Sequence, residues 1–114
     1  MPHHLSQEMR QCIQHCSDCH NVCLETAVHC LELGGTHAEA RHITLLLNCA
    51  EICATSADFM LTGSGLHGRT CAVCAEVCER CAESCERVDP NDETMRRCAE
   101  TCRQCAQSCR QMAA

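Results

Sequence analysis

The stretch Cys71-Ala72-Val73-Cys74-Ala75-Glu76-Val77-Cys78-Glu79-Arg80-Cys81-Ala82-Glu83-Ser84-Cys85 decides the fold. Its cysteines recur in steps of three and four, the spacing that lines up side chains along one face of an α-helix and along no face of a strand. Cys12, Cys16, Cys19 and Cys23 follow the same rule, as do Cys98, Cys102, Cys105 and Cys109, and Cys49 and Cys53 continue it in shorter form. With Cys30 they make sixteen cysteines in 114 residues. A seam of this kind normally carries leucine and faces the interior of a bundle. Here the interior is expected to hold thiols, which are ligands for soft metal ions.

The breaks between seams set the number of helices. Gly34-Gly35 closes a first helix running from about Leu5 to Leu33, because glycine takes the left-handed conformation that ends helices. Thr36-His37-Ala38-Glu39 reads as a capping box opening a second helix, which ends at Thr62-Gly63-Ser64-Gly65. A third covers Leu66 to Val88. Asp89 is then expected to cap a fourth, with Pro90 in its first turn and Met112 near its end. Connections this short force successive helices antiparallel, so the expected fold is all-α, an up-down-up-down four-helix bundle with a cysteine-lined core, and residues 1–114 form one domain.

Continuing each seam in steps of three and four stacks the bundle into layers. One end collects Met9, Met60, His67 and Met112. The next layers are Cys12, Ser56, Cys71, Cys109; then Cys16, Cys53, Cys74, Cys105; then Cys19, Cys49, Cys78, Cys102; then Cys23, Leu46, Cys81, Cys98. The far end holds Thr26, His42, Cys85 and Met95, with Cys30 a turn beyond.

The bulk composition narrows the function. The net charge is −6, and the nine basic residues are all arginine and are scattered, which argues against a nucleic-acid or anionic-membrane footprint. The beginning of the chain lacks the pattern of a secretory signal, and no segment reads as apolar for long enough to cross a bilayer, so a cytosolic protein is expected. Phe59 is the sole aromatic residue. Without an ordinary apolar core, metal or self-association has to add stability. Ile43, Leu45, Leu46 and Leu47, extended by Ile52 and Phe59, make the second helix apolar on more than one side, which points to a homo-oligomer.

Disulfides do not suit this pattern: cysteines three or four apart on one helix run roughly parallel, and cytosolic glutathione keeps thiols reduced. Iron–sulfur ligation does not suit it either, because the gap from Cys74 to Cys78 preserves helix phase where a cluster-binding loop would break it. Zinc would use four thiolates per ion and leave two negative charges at each site. Monovalent copper is satisfied by two or three bridging thiolates, and exchanging one thiol proton for one Cu(I) keeps the core neutral up to roughly 16 ions per chain. Thiols one turn apart, about 5–6 Å, also allow an ion to pass from one to the next. Met9, Met60, Met112 and His67 make a candidate mouth at one end, with His42 and Met95 a weaker candidate at the other. His15, His20, His29, His3, His4 and His37 are expected to be mostly solvated or at a subunit surface, and Glu76, Glu79, Glu83 and Glu86 to form a solvated face.

With CxxxCxxCxxxC at Cys12 to Cys23, CxxCxxxCxxCxxxC at Cys71 to Cys85 and CxxxCxxCxxxC at Cys98 to Cys109, the chain resembles the bacterial copper storage proteins over essentially its whole length. That resemblance implies a four-helix bundle lined by cysteines. For the cytosolic branch, which the missing signal peptide favours, it implies homotetramers holding many Cu(I) ions, with a copper chaperone as a candidate loading partner. No catalytic constellation is visible. The alternatives are a zinc or general heavy-metal buffer, a thiol redox protein and a purely structural helical module.

Overall fold

Four helices, α1 (Gln7–Leu33), α2 (Ala40–Leu61), α3 (His67–Val88) and α4 (Glu93–Ala113), account for most of the computed structural model, which describes residues 5–113. His3 and His4 lie outside the described residues. Each helix packs on two neighbours, α1 and α3 both against α2 and α4, which closes the up-down-up-down ring. The result is a rod of 53 × 18 × 18 Å whose axis is the cysteine seam.

Local chemistry explains the helix ends, and two differ from the sequence expectation. Ser6 caps α1 by accepting the Met9 N–H at 3.1 Å. Gly34 and Gly35 both have positive φ, 72° and 58°, and the Gly34 N–H returns to the Cys30 carbonyl at 3.1 Å. The expected capping box between Thr36 and Glu39 does not form. Residues Gly35–Ala38 make a 3₁₀ turn instead, and α2 starts at Ala40 with Glu39 ahead of it making no side-chain cap. Two left-handed residues in succession redirect the chain, so helical geometry resumes only after a further turn.

The start of α4 is also displaced. The residue before a proline is kept out of the helical region, and Asp89 is accordingly extended at φ −157° and ψ 91°. Its carboxylate accepts the Asn91 N–H at 3.2 Å and makes a turn, while Asp92 accepts the Met95 N–H at 2.9 Å and becomes the cap of a helix that begins at Glu93.

The core is built from two small residue types. All sixteen cysteines are 0% exposed. Flanking them are buried alanines seven apart on α2 (Ala50, Ala57), α3 (Ala75, Ala82) and α4 (Ala99, Ala106), with Ala27 on α1. Methyl groups at these positions let the backbones approach closely, which keeps the lumen narrow enough for sulfurs to meet. Apart from Leu46, Met60 and Met95, large apolar residues tend to lie outward, and Leu24, Val28, Leu31 and Leu47 are exposed. Arg103 reaches Glu79 and Glu86 at 3.6 and 2.6 Å, and Arg110 reaches Glu79 at 3.1 Å. The acidic face of α3 therefore ties α3 to α4, although each exposed pair adds at most about 1 kcal/mol.

Contrary to the expectation that no segment is apolar for long enough, α2 meets the length and composition required of a membrane span. Its extra apolar residues are Ile43, Leu45, Ile52 and Phe59, all half-buried, together with the exposed Leu47. The helix packs against α1 and α3 and carries the fully buried Leu46, Cys49, Cys53 and Met60 inward.

Replacing the α4 cap by Asp92→Ala should destabilise the metal-free protein by about 1 kcal/mol, seen as a lower denaturation midpoint with an unchanged slope. Asp92→Asn retains the accepting oxygen and should keep most of that stability. Equal losses in the two variants would contradict the cap assignment.

Candidate metal centre

Steps of three and four along each helix bring a sulfur inward at every turn, and antiparallel packing interleaves the four rows. The layers expected from sequence form where the seams are densest. Cys19 lies 3.8 Å from Cys49, 4.0 Å from Cys78 and 3.6 Å from Cys102. Cys53 lies 3.7 Å from Cys74 and 3.8 Å from Cys105, and Cys105 lies 3.7 Å from Cys16. All sixteen thiols are free.

The contacts do not stop at layer boundaries. A path runs Cys12, Cys109, Cys16, Cys105, Cys53, Cys78, Cys19, Cys102, Cys23, Cys98, and no step in it exceeds 4.0 Å. Four groups of four thiols have sulfurs within 4.8 Å of one another: Cys16, Cys74, Cys105, Cys109; Cys19, Cys53, Cys78, Cys105; Cys19, Cys23, Cys49, Cys102; and Cys23, Cys81, Cys98, Cys102. Cys12, Cys71 and Cys109 make a group of three. Cys19, Cys23, Cys102, Cys105 and Cys109 each belong to two groups, so the sites interlock. Because of that sharing, no more than two of the four-thiol groups can be filled at once by ions that each require four ligands of their own.

Electrostatics oppose a net charge in this interior until a cation arrives. The buried polar side chains among the described residues are Thr26, His42, Ser56 and Ser84, and no arginine joins them. Thiolates in such a core lack a countercharge, and burial opposes them. Hydrogen bonds between thiols decide which proton leaves first. Neighbouring thiols pull Cys12, Cys19, Cys49, Cys74, Cys98 and Cys105 down, the leading influence being Cys109 on Cys12 and Cys105, Cys102 on Cys19, Cys49 and Cys98, and Cys105 on Cys74. Cys102 and Cys109 are held well above the ordinary thiol range by the thiols around them, Cys19 and Cys105 first. Cys30 has a different environment, and burial pushes its thiol up to about 11.

The ends depart from the sequence reading. Cys30, expected a turn beyond the last layer, lies within it, 3.4 Å from His42 Nε2 and 3.3 Å from Met95 Sδ. Burial lowers the pKa of His42, which favours its neutral form. At the other end Met60 is fully buried, Met9 and Met112 pack half-buried against the core, and His67 Nδ1 lies 2.9 Å from the Ser64 carbonyl. Thr26 and Ser56 occupy lumen positions and bury hydroxyls without a hydrogen-bond partner.

Four histidines expected to be mostly solvated or at a subunit surface have partners within the chain. His29 and His37 pair with Asp92 and Asp89 at 2.8 and 2.9 Å, joining the end of α1 and the 3₁₀ turn to the α3–α4 connection. His20 Nδ1 lies 2.8 Å from the Ala50 carbonyl, and His15 Nδ1 lies 2.6 Å from Ser108 Oγ. Sequence reasoning also passed over the flanking alanines, whose seven-residue spacing was the available signal.

A helical bundle with a continuous thiol interior closed to bulk solvent defines a container for soft metal ions. Comparison with known proteins agrees. The family model for copper storage protein matches residues 5–114, and the chain belongs to that family. A solved structure from Nitrosospira multiformis is 51% identical, with 94% of this chain and 95% of that one covered and a TM-score of 0.87. The Cu(I)-bound copper storage protein 3 of Bacillus subtilis is 37% identical, with 95% and 100% covered and a TM-score of 0.87. A cytosolic copper storage protein of Streptomyces lividans, solved with five coppers, is 30% identical, with 94% and 92% covered and a TM-score of 0.86. An uncharacterized cysteine-rich protein of Bacillus subtilis is 36% identical over 73 residues, 64% of this chain and 68% of that one.

Filling the interior should release about one proton per cuprous ion near neutral pH, because each ion takes the place of a thiol proton. A weakly buffered anaerobic titration followed with a pH electrode measures this. Uptake without proton release would mean that the thiols were already ionised and would contradict the neutral interior.

Proposed function

We propose that this chain stores and sequesters Cu(I) as one metal-binding unit spanning residues 1–114. The ligands in this reading are the thiolates of Cys12, Cys16, Cys19, Cys23, Cys30, Cys49, Cys53, Cys71, Cys74, Cys78, Cys81, Cys85, Cys98, Cys102, Cys105 and Cys109. The observation that carries it is the sharing of sulfurs between neighbouring groups. Shared sulfurs suit an ion content with two or three bridging thiolates, and exchange of a thiol proton for Cu(I) leaves the lumen uncharged. The copper-bound relatives from Bacillus and Streptomyces support the choice of metal.

The same sharing separates copper from zinc. Each four-thiolate zinc site carries two negative charges, and only two disjoint sets are available among the four-thiol groups. An anaerobic titration against strong chelators should saturate near 16 Cu(I) per chain, at roughly one ion per thiol. Zinc should saturate at about two tightly held ions. Copper saturation at two or three ions would defeat the storage reading.

The protein works without catalysis in this account, in the cytoplasm, as is stated of the Streptomyces relative. Met9, Met60, His67 and Met112 remain candidates for a mouth through which copper arrives, with a copper chaperone as the candidate donor. The thioethers need no deprotonation to bind and hold Cu(I) less tightly than thiolates do.

Self-association is the remaining element, and a homotetramer is the state proposed. Leu24, Val28 and Leu31 form an exposed stripe on α1, and Leu47 is exposed on α2. Exposed apolar surface on two neighbouring helices fits further copies of the chain better than water. Sedimentation of the metal-free protein should give four times the chain mass, and Val28→Glu with Leu47→Glu should shift it to smaller species without loss of helicity. A monomeric parent protein would contradict this part of the proposal.

A further inference from the structure

The end of the lumen nearest the α1–α2 connection has a chemistry unlike the rest. Cys30 from the last turn of α1, His42 from the first turn of α2 and Met95 from the first turn of α4 converge there, with exposures of 0%, 1% and 0%. The contacts of the Cys30 sulfur are an imidazole and a thioether at 3.4 and 3.3 Å, whereas those of Cys19 or Cys53 are other thiols. Leu46, one turn inward from His42 and fully buried, puts a hydrocarbon where α2 would otherwise carry a sulfur. Helix α2 thus contributes thiols only from Cys49 onward.

Two more side chains complete the arrangement. Ser84 Oγ, on α3 and 4% exposed, lies 2.8 Å from His42 Nδ1 and accepts a hydrogen bond from Arg87 Nη2 at 3.3 Å. A thioether can only accept, so Cys30 S–H donates to Met95, which leaves the Cys30 sulfur to accept from His42 Nε2–H and His42 Nδ1 to accept from Ser84. Arg87 donates to Ser84, Ser84 to His42 Nδ1, His42 Nε2–H to Cys30, and the Cys30 S–H to Met95. Each group is satisfied once, and the metal-free imidazole carries its proton on Nε2.

We propose that Cys30, His42 and Met95 form a single-ion Cu(I) site, separate from the thiol ladder, with Ser84 as the positioning residue that sets the imidazole. This inference rests on the copper-storage reading and adds a site of mixed sulfur and nitrogen donors to it. One thiolate, one neutral imidazole and one thioether balance a single positive charge and supply the low coordination number that monovalent copper accepts. Donors about 2.0–2.3 Å from a shared ion stand somewhat less than 4 Å apart in a trigonal arrangement, which the observed separations from Cys30 approach. Zinc here would lack a fourth ligand and leave a buried positive charge.

Binding has a definite proton balance. The Cys30 S–H gives its proton to solvent as the sulfur–copper bond forms. The imidazole stays neutral, but its proton moves from Nε2 to Nδ1 so that the Nε2 lone pair can bind the ion. Ser84 then turns from donor to acceptor, which its two lone pairs allow even with Arg87 in place. Loading therefore switches the tautomer of His42 at constant ring charge.

Cu(I) is diamagnetic, so nitrogen NMR of the full-length ¹⁵N-labelled protein, titrated anaerobically with Cu(I) alone, reads the switch directly. The metal-free spectrum should show His42 protonated at Nε2, and the loaded spectrum should show it protonated at Nδ1 with Nε2 shifted by the metal. Ser84→Ala should leave the metal-free ring protonated at Nε2, because Cys30 still accepts from it, but should remove the acceptor of Nδ1–H in the loaded state and weaken uptake at this site about tenfold. Met95→Leu, close in volume and safe for folding, should delay or abolish the His42 response while lowering total capacity by no more than one ion. A His42 spectrum unchanged at full thiol loading would overturn this inference and leave storage standing. A protein whose thiols take up no copper would overturn the storage reading itself.

Discussion

Sixteen thiols can share one water-free interior only while that interior carries almost no net charge. As protonated S–H groups they meet this condition, and along the middle of the lumen they stand 3.6–4.0 Å apart and share weak hydrogen bonds. As thiolates they meet it only if each arrives with a cation of matching charge, because an unpaired buried anion is prohibitively unfavourable. A monovalent soft ion fits that condition one for one. The helix geometry, the alanine spacing and the absence of buried arginine among the described residues all serve the same electrical constraint.

The same constraint explains where the large side chains are. A leucine core would stabilise the bundle more, since each buried leucine contributes roughly 1.5–3 kcal/mol. It would also push the helices apart and separate the sulfurs. Cysteine with flanking alanine gives a narrow lumen at the expense of apolar burial, and leucine and valine move outward to Leu24, Val28, Leu31 and Leu47. The chain thus has an interior specialised for ligand exchange, and bound ions supply stability that a thiol core lacks.

Much of this was legible from cysteine spacing, because a repeat of three and four fixes both helix phase and which rows face one another. The central layers, Cys16, Cys53, Cys74, Cys105 and Cys19, Cys49, Cys78, Cys102, assemble as that repeat requires. The helix ends were less legible. Asp89-Pro90-Asn91-Asp92 offers two carboxylates, and only the backbone restriction imposed by Pro90 selects Asp92 as the cap. The partners of His15, His20, His29 and His37 depend on which backbone atom of a neighbouring helix stands at the same height, a property that no local pattern encodes. Cys30 meets His42 and Met95 because the last turn of α1 stands level with the first turns of α2 and α4, a matching of heights that the spacing within α1 does not encode.

The measurement that bears most directly on the account is copper K-edge X-ray absorption of the fully loaded, oxygen-free protein. Copper surrounded almost entirely by sulfur at two- to three-fold coordination, with copper neighbours at short range, is the predicted spectrum, because shared thiolates force the ions into contact. A first shell dominated by nitrogen or oxygen, or isolated ions without copper neighbours, would show that the interior sulfurs are not the store.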